Sequence, residues 1–203
     1  MSIILGIGTI VAAAQTVVKA LAVVGLAVQT LRMIGNALVS LGKVLGLIKE
    51  ETKVEELGDK ALQCGYNPED FDSYSDYVKA VEAFDNLDSE KSNNISEEEK
   101  IRKGMELAAG AVIDKYNDLI LQEFCIAVGK NPDYFTEAKI GEIVKLIDGD
   151  DRYITNILNY LNGSEKDDFK IQSIIDTMIK VEKTVNPNIS DKDALKNVLA
   201  TRK

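Results

Sequence analysis

The stretch Ile3–Ile48, IILGIGTIVAAAQTVVKALAVVGLAVQTLRMIGNALVSLGKVLGLI, holds three charged residues, Lys19, Arg32 and Lys43, and no carboxylate. Everything after it is strongly acidic. Four of the 24 bases and none of the 33 acids lie in residues 1–49, which leaves 20 bases and all 33 acids, a charge of −13, in residues 50–203. What covers the apolar stretch therefore decides both the fold and the function.

Set in heptads from Ile3, the a positions are Ile3, Ile10, Val17, Val24, Leu31, Leu38 and Leu45, and the d positions are Gly6, Ala13, Ala20, Ala27, Ile34, Leu41 and Ile48. Polar residues collect at f, the position farthest from the seam: Gln15, Gln29, Asn36, Lys43 and Glu50. A left-handed helical seam has this pattern. The small d residues of the first half let a neighbouring helix approach closely. Positions e and g lack the charges of an exposed coiled coil, and a helix that is apolar nearly all round is buried on nearly all sides.

A straight helix over this stretch would run about 70 Å at 1.5 Å per residue. A body of about 150 residues has a radius of gyration of only about 15 Å. The helix therefore breaks into a hairpin or is buried by other chains; Gly25, Gly35, Gly42 and Gly46 are sites for kinks or close crossings. Three covers are open: the chain's own body, other protein subunits, or lipid. The leading expectation is a homo-oligomeric interface made by Ile10, Ala13, Val17, Ala20, Val24, Ala27, Leu31, Ile34, Leu38, Leu41 and Leu45. Membrane insertion is the alternative. Met1–Val18 is uncharged but borderline for the roughly 20 residues a span needs. A signal peptide would need a basic segment ahead of its apolar run, and only Met1 and Ser2 precede this one.

The remaining sequence reads as helices joined by short polar turns, so the expected class is all-α, with residues 1–49 an oligomerisation or insertion segment and 50–203 an acidic helical domain. Helices are expected near Lys49–Cys64, Glu97–Val128, Thr136–Ile147, Arg152–Leu161, Lys166–Val185 and Asp191–Ala200. Ser96 with Glu99 forms a capping box. The pairs Asn67-Pro68, Asn131-Pro132 and Asn186-Pro187 are expected to start helices, since Asn caps well and Pro suits the first turn. GYNPEDF (Gly65–Phe71) and GKNPDYF (Gly129–Phe135) share a G-x-N-P-x-x-F pattern, which either an internal duplication or repeated capping chemistry explains.

Chemistry is thinly represented. The chain has no His, which removes the commonest general base and a common metal ligand, and with them most hydrolase triads and zinc sites. No nucleophile has a base beside it, Gly6 and Gly8 follow no strand, and the two cysteines, Cys64 and Cys125, form no CxxC pair. An acidic body argues against nucleic acid, which needs a basic face. No catalytic residue, cofactor, metal ligand or small-molecule substrate is expected. The one metal-like pattern is Asp88–Glu99, which places Asp88, Glu90, Ser92, Asn94, Ser96 and Glu99 at calcium-loop positions but has Asn93 where glycine belongs. A calcium-responsive interaction module is therefore a second alternative. Asp148–Asp151 reads as a solvated acidic turn.

In its Gly, Ala and Val content and sparse charge, Ile3–Ile48 resembles helices of phage-tail components of the tape-measure and hub-associated type. That resemblance covers this segment alone and carries over no functional residue. It implies helices bundled in a tube or baseplate and shielded by neighbouring subunits, in a particle assembled in the cytoplasm. Membrane association is the alternative location.

Overall fold

The computed structural model describes residues 5–23, 25–147 and 152–202. Among these it is all-helical, with eleven α-helices, one 3₁₀ turn and no strand. Ile3, Val24 and Asp148–Asp151 lie outside the described residues. The chain divides by packing into residues 1–130 and 131–203. The expected division at 49/50 runs instead through the first unit, because the apolar stretch packs on the helices that follow it.

The first unit is built around one helix, α6 (Glu97–Tyr116). Leu107 through Ile113 are seven consecutive buried residues. A helix buried on every face has no solvent side and must be enclosed by other helices. Five enclose it: α1 (Ile7–Leu21), α2 (Val28–Val44), α3 (Val54–Gln63), α4 (Tyr74–Glu82) and α7 (Ile120–Lys130). A short helix, α5 (Ser89–Asn94), leads into α6 and touches α3.

The apolar stretch is thus two helices, α1 and α2, joined across Ala22–Ala27. Ala22 closes α1 on Val18, and Gly25 turns the chain at φ +86°. Fifteen and 17 residues correspond to about 22 and 25 Å of helix, most of the roughly 30 Å of a 20-residue α6. The two helices run along α6 in opposite directions. The Leu5 N–H donates to the Asn117 side-chain oxygen at the end of α6, whereas the Ala22 carbonyl accepts from Arg102 near its start, so α1 runs antiparallel. Arg32 pairs with Glu97 at the start of α6, and Lys115 near its end donates to the Leu45 carbonyl, so α2 runs parallel.

Small residues let the backbones close in. A Cβ at Gly58 would stand 1.7 Å from the Lys100 carbonyl oxygen, and one at Gly104 would stand 2.1 Å from that of Val54, so α3 and α6 cross nearly backbone to backbone. At Gly110 a Cβ would strike the Tyr74 ring at 2.3 Å.

Several local expectations shift. The single helix expected over Glu97–Val128 breaks after Tyr116, where Asn117 takes a left-handed conformation at φ 50° and Asp118 accepts from the Ile120 N–H to start α7. The helix expected from Lys49 begins only at Val54. Asn67 accepts from the Glu69 N–H but heads a 3₁₀ turn, Pro68–Asp70, while Asn131 and Asn186 head turns. Ser96 does cap α6, accepting from the Glu99 N–H at 3.2 Å. The two G-x-N-P-x-x-F copies differ in use. Gly65 turns the chain at φ +70°, whereas Gly129 is buried inside α7, where a Cβ would meet Leu21 at 2.4 Å.

The second unit contains α8 (Glu137–Ile147), α9 (Arg152–Leu161), α10 (Asp168–Val185) and α11 (Asp191–Leu199). Its core includes Ile140, Ile143, Ile157, Leu158, Tyr160, Met178, Val181 and Val198. Asp167 caps α10 and Ser190 caps α11. The Tyr160 hydroxyl donates to the Val198 carbonyl at 3.2 Å, tying α9 to the last helix.

Gly58→Ala and Gly104→Ala each force a methyl group into a neighbouring backbone and are expected to lower unfolding free energy by about 3 kcal/mol, the upper range for overpacking. Gly8→Ala meets nothing within 4 Å and should be neutral or stabilising by up to about 1 kcal/mol. Urea titration of the three variants checks the contrast.

Candidate functional site

The residues expected to form an oligomer seam are mostly consumed by the fold. Ile10, Ala13, Val17, Leu31, Ile34, Leu38, Leu41 and Leu45 are all buried within the chain. α1 and α2 pack against α6 and α7, and α2 also against α3, so these buried side chains are covered within the chain. Ala20 and Ala27 are exposed, and Val24 lies outside the described residues. The physical reason is the turn at Ala22–Ala27: a heptad register holds only along an unbroken helix, so its seam does not continue from α1 into α2.

The outward residues of α1 and of the start of α2 remain uncovered. On α1 these are Gly8, Thr9, Ala12, Gln15, Thr16, Lys19 and Ala20; beyond them come Val23, Ala27, Gln29, Thr30, Met33 and Asn36. Val23 is 62% exposed and Met33 42%. No carboxylate occurs on this face, and Lys19 is in no ion pair among the described residues.

Where the pair meets the acidic body, charge fixes it. Arg32 on α2 binds both Glu55 on α3 and Glu97 on α6. Donating to the Glu55 carboxylate, then to that of Glu97, holds the guanidinium pKa further above its ordinary value. These residues, with Asn36, Lys53 and Glu56, line an open cleft of about 590 Å³. Its two bases and three acids sum to one negative charge, and Arg32 is already paired with two of the acids. Arg102 and Lys115 donate to the Ala22 and Leu45 carbonyls at 2.8 and 3.2 Å, supplying partners for carbonyls that helix ends leave open.

Two further polar networks hold helices in place. Burial pushes the Asp59 carboxyl up, but hydrogen bonds from Ser92, Gln63 and Lys100 outweigh it and hold the group below its ordinary value. Glu82, 5% exposed, accepts from the Lys49 N–H at 3.0 Å and the Thr52 hydroxyl at 2.8 Å, anchoring the loop before α3.

The second unit holds a buried ion pair. Lys139 on α8 binds Glu182 on α10 at 2.6 Å, with side-chain exposures of 12% and 2%. The ammonium also lies 4.3 Å from the Tyr134 ring centroid, a cation–π contact. The Tyr134 hydroxyl is buried without a hydrogen-bond partner, and burial followed by the nearby Glu182 raises its pKa. The arrangement clamps α8 to α10.

The calcium pattern does not form a loop. Asp88 instead caps α5, accepting from the Glu90 and Lys91 N–H groups, Ser92 turns back to Asp59, and Ser96 caps α6. Residues meant to converge on one ion are dispersed by the intervening helix, and no three acids or cysteines gather to hold a metal among the described residues. Cys64 is half-buried and Cys125 fully buried, both unpaired. Burial pushes the Cys125 thiol up to about 12, which keeps it protonated and unreactive. No helix among the described residues is long and apolar enough to cross a membrane.

Comparison with protein-family models, curated proteins and solved structures finds no match to this chain.

Two predictions follow from the buried charges. Lys139→Ala leaves Glu182 buried without its partner and should cost about 3 kcal/mol, while Lys139→Met with Glu182→Leu should recover most of that loss in urea titrations. The depressed Asp59 carboxyl contributes stability above its unfolded value of about 3.9 and loses it as pH falls through the lower folded value. Asp59→Asn should therefore be less stable than the parent at pH 7, with the two converging near pH 2.

Proposed function

We propose that this protein is a non-enzymatic structural subunit that assembles with other protein chains through the outward residues of α1, the α1–α2 connection and the start of α2. The observation that carries this reading is the exposure of Ala20, Val23, Ala27 and Met33 on a carboxylate-free surface of an otherwise acidic chain. Interface cores are depleted of charge and enriched in such apolar groups. The inner seam supplies the fold, and the outer face supplies the contact. The content of this segment suits the shielded helices of a phage tail or tail-like particle, and we extend the proposal to an assembly of that kind.

Light scattering on the full chain tests the proposal. The parent should give a discrete mass above that of the monomer, and Ala20→Asp or Val23→Asp should return it to the 22.3 kDa monomer without loss of helical circular dichroism. Vesicles of anionic lipid provide the contrary arm. A monomeric parent that releases dye from them would replace protein by lipid as the cover of this face.

A further inference from the structure

Beside α1 lies a second uncovered surface of opposite character. Residues 61–78 contain no Lys or Arg but carry Glu69, Asp70, Asp72 and Asp76. All four acids are exposed; Asp76 is paired with Lys79, whereas Glu69, Asp70 and Asp72 are in no ion pair among the described residues. Within this acidic rim stands an aromatic ledge. Tyr66 is 43% exposed, with its ring edge-on to Phe71 at 6.0 Å and to Phe84 at 6.2 Å. Phe71 in turn contacts buried Tyr77 at 5.6 Å, so the ledge is anchored to the core. A rigid, half-exposed aromatic group with an acidic border fits an apolar surface that carries a base and no acid.

The outer face of α1 has that chemistry: Ala12, Ala20 and Val23 with unpaired Lys19, and no carboxylate from residue 5 to residue 48. The two surfaces also adjoin, because the 3₁₀ turn Pro68–Asp70 packs against α1 within the same unit. Resting on the assembly reading above, we propose that the partner is a second copy of this chain, with the α1 face and Lys19 of each copy set against the Tyr66 ledge and the Glu69–Asp70 rim of the other. Neighbouring patches of opposite sign on one body make a self-complementary surface, and a two-fold axis satisfies both contacts at once. Pairing α1 with α1 in the same direction would bring Lys19 against Lys19 with no acid on either helix, so charge favours the reciprocal arrangement.

Sedimentation velocity of the full chain between about 1 and 100 μM, at low salt, tests the pairing. The parent should dimerise. Lys19→Glu alone, and Glu69→Lys with Asp70→Lys, should each weaken the dimer by about tenfold, since each reversed contact occurs twice across the axis. The three substitutions in one chain should restore the parent constant to within about threefold, a rescue that misfolding would not produce. Tyr66→Ser should weaken the dimer without changing helical content. An assembling parent that Ala20→Asp dissolves, but that the charge reversals and Tyr66→Ser leave intact, would overturn the reciprocal ledge and keep the assembly reading. A parent that stays monomeric at 100 μM would remove both.

Discussion

The first unit depends on the enclosure of α6. A helix with seven successive buried residues, Leu107–Ile113, cannot stand at a surface; it needs apolar partners on every side. Five of the ten buried residues of α6 are Gly or Ala, so its partners must bring much of the bulk. Leu31, Leu38, Leu41, Ile10 and Val17 from α1 and α2 do so, while Gly58 and Gly104 let α3 come nearly into backbone contact. The oily opening segment is thus the complement of a central helix otherwise too slender to make a core. Charge then sets the alignment: Arg32, Arg102 and Lys115 fix the start or end of α1 and α2 relative to α6.

Much of this was written in the sequence, though not the identity of the partner. The all-α class was legible from apolar spacing and caps, and Ser96 caps its helix as its spacing with Glu99 implies. The heptad reading found the correct inward face: Ile10, Val17, Leu31, Leu38 and Leu45 are buried as a seam should be. What it could not supply was the occupant of that seam. The remaining residues are not a finished body facing a rod of about 70 Å, because α6 lacks part of its cover until the rod folds in two. Once it bends at Gly25, each half spans most of the helix it covers. The bend also ends the register, and Ala20 and Ala27, assigned to the seam, stand in solvent.

The polar candidates were less legible for a related reason. Asp88–Glu99 has a plausible order of oxygen donors, but Ser89–Asn94 is helical, and Asp88 caps that helix by accepting two backbone N–H groups. Backbone satisfaction outweighs a weak ligand pattern when the glycine needed for the loop is missing. Conversely, the pairs joining Arg32 to Glu97 and Lys139 to Glu182 span 65 and 43 residues. Separations of that size leave no local trace in a sequence, so the ties that orient the helices become visible only in the fold.

The carbonyl contacts made by Arg102 and Lys115 reach back 80 and 70 residues along the chain. Translation at 5–20 residues per second puts roughly 4–16 s between the emergence of an α1 or α2 carbonyl and its tie on α6. For that interval the most apolar part of the protein is on the ribosome without its cover. The nascent chain is consequently most prone to aggregation before α6 is made, and a slower passage through α3–α5 would prolong the hazard while leaving the finished protein unchanged.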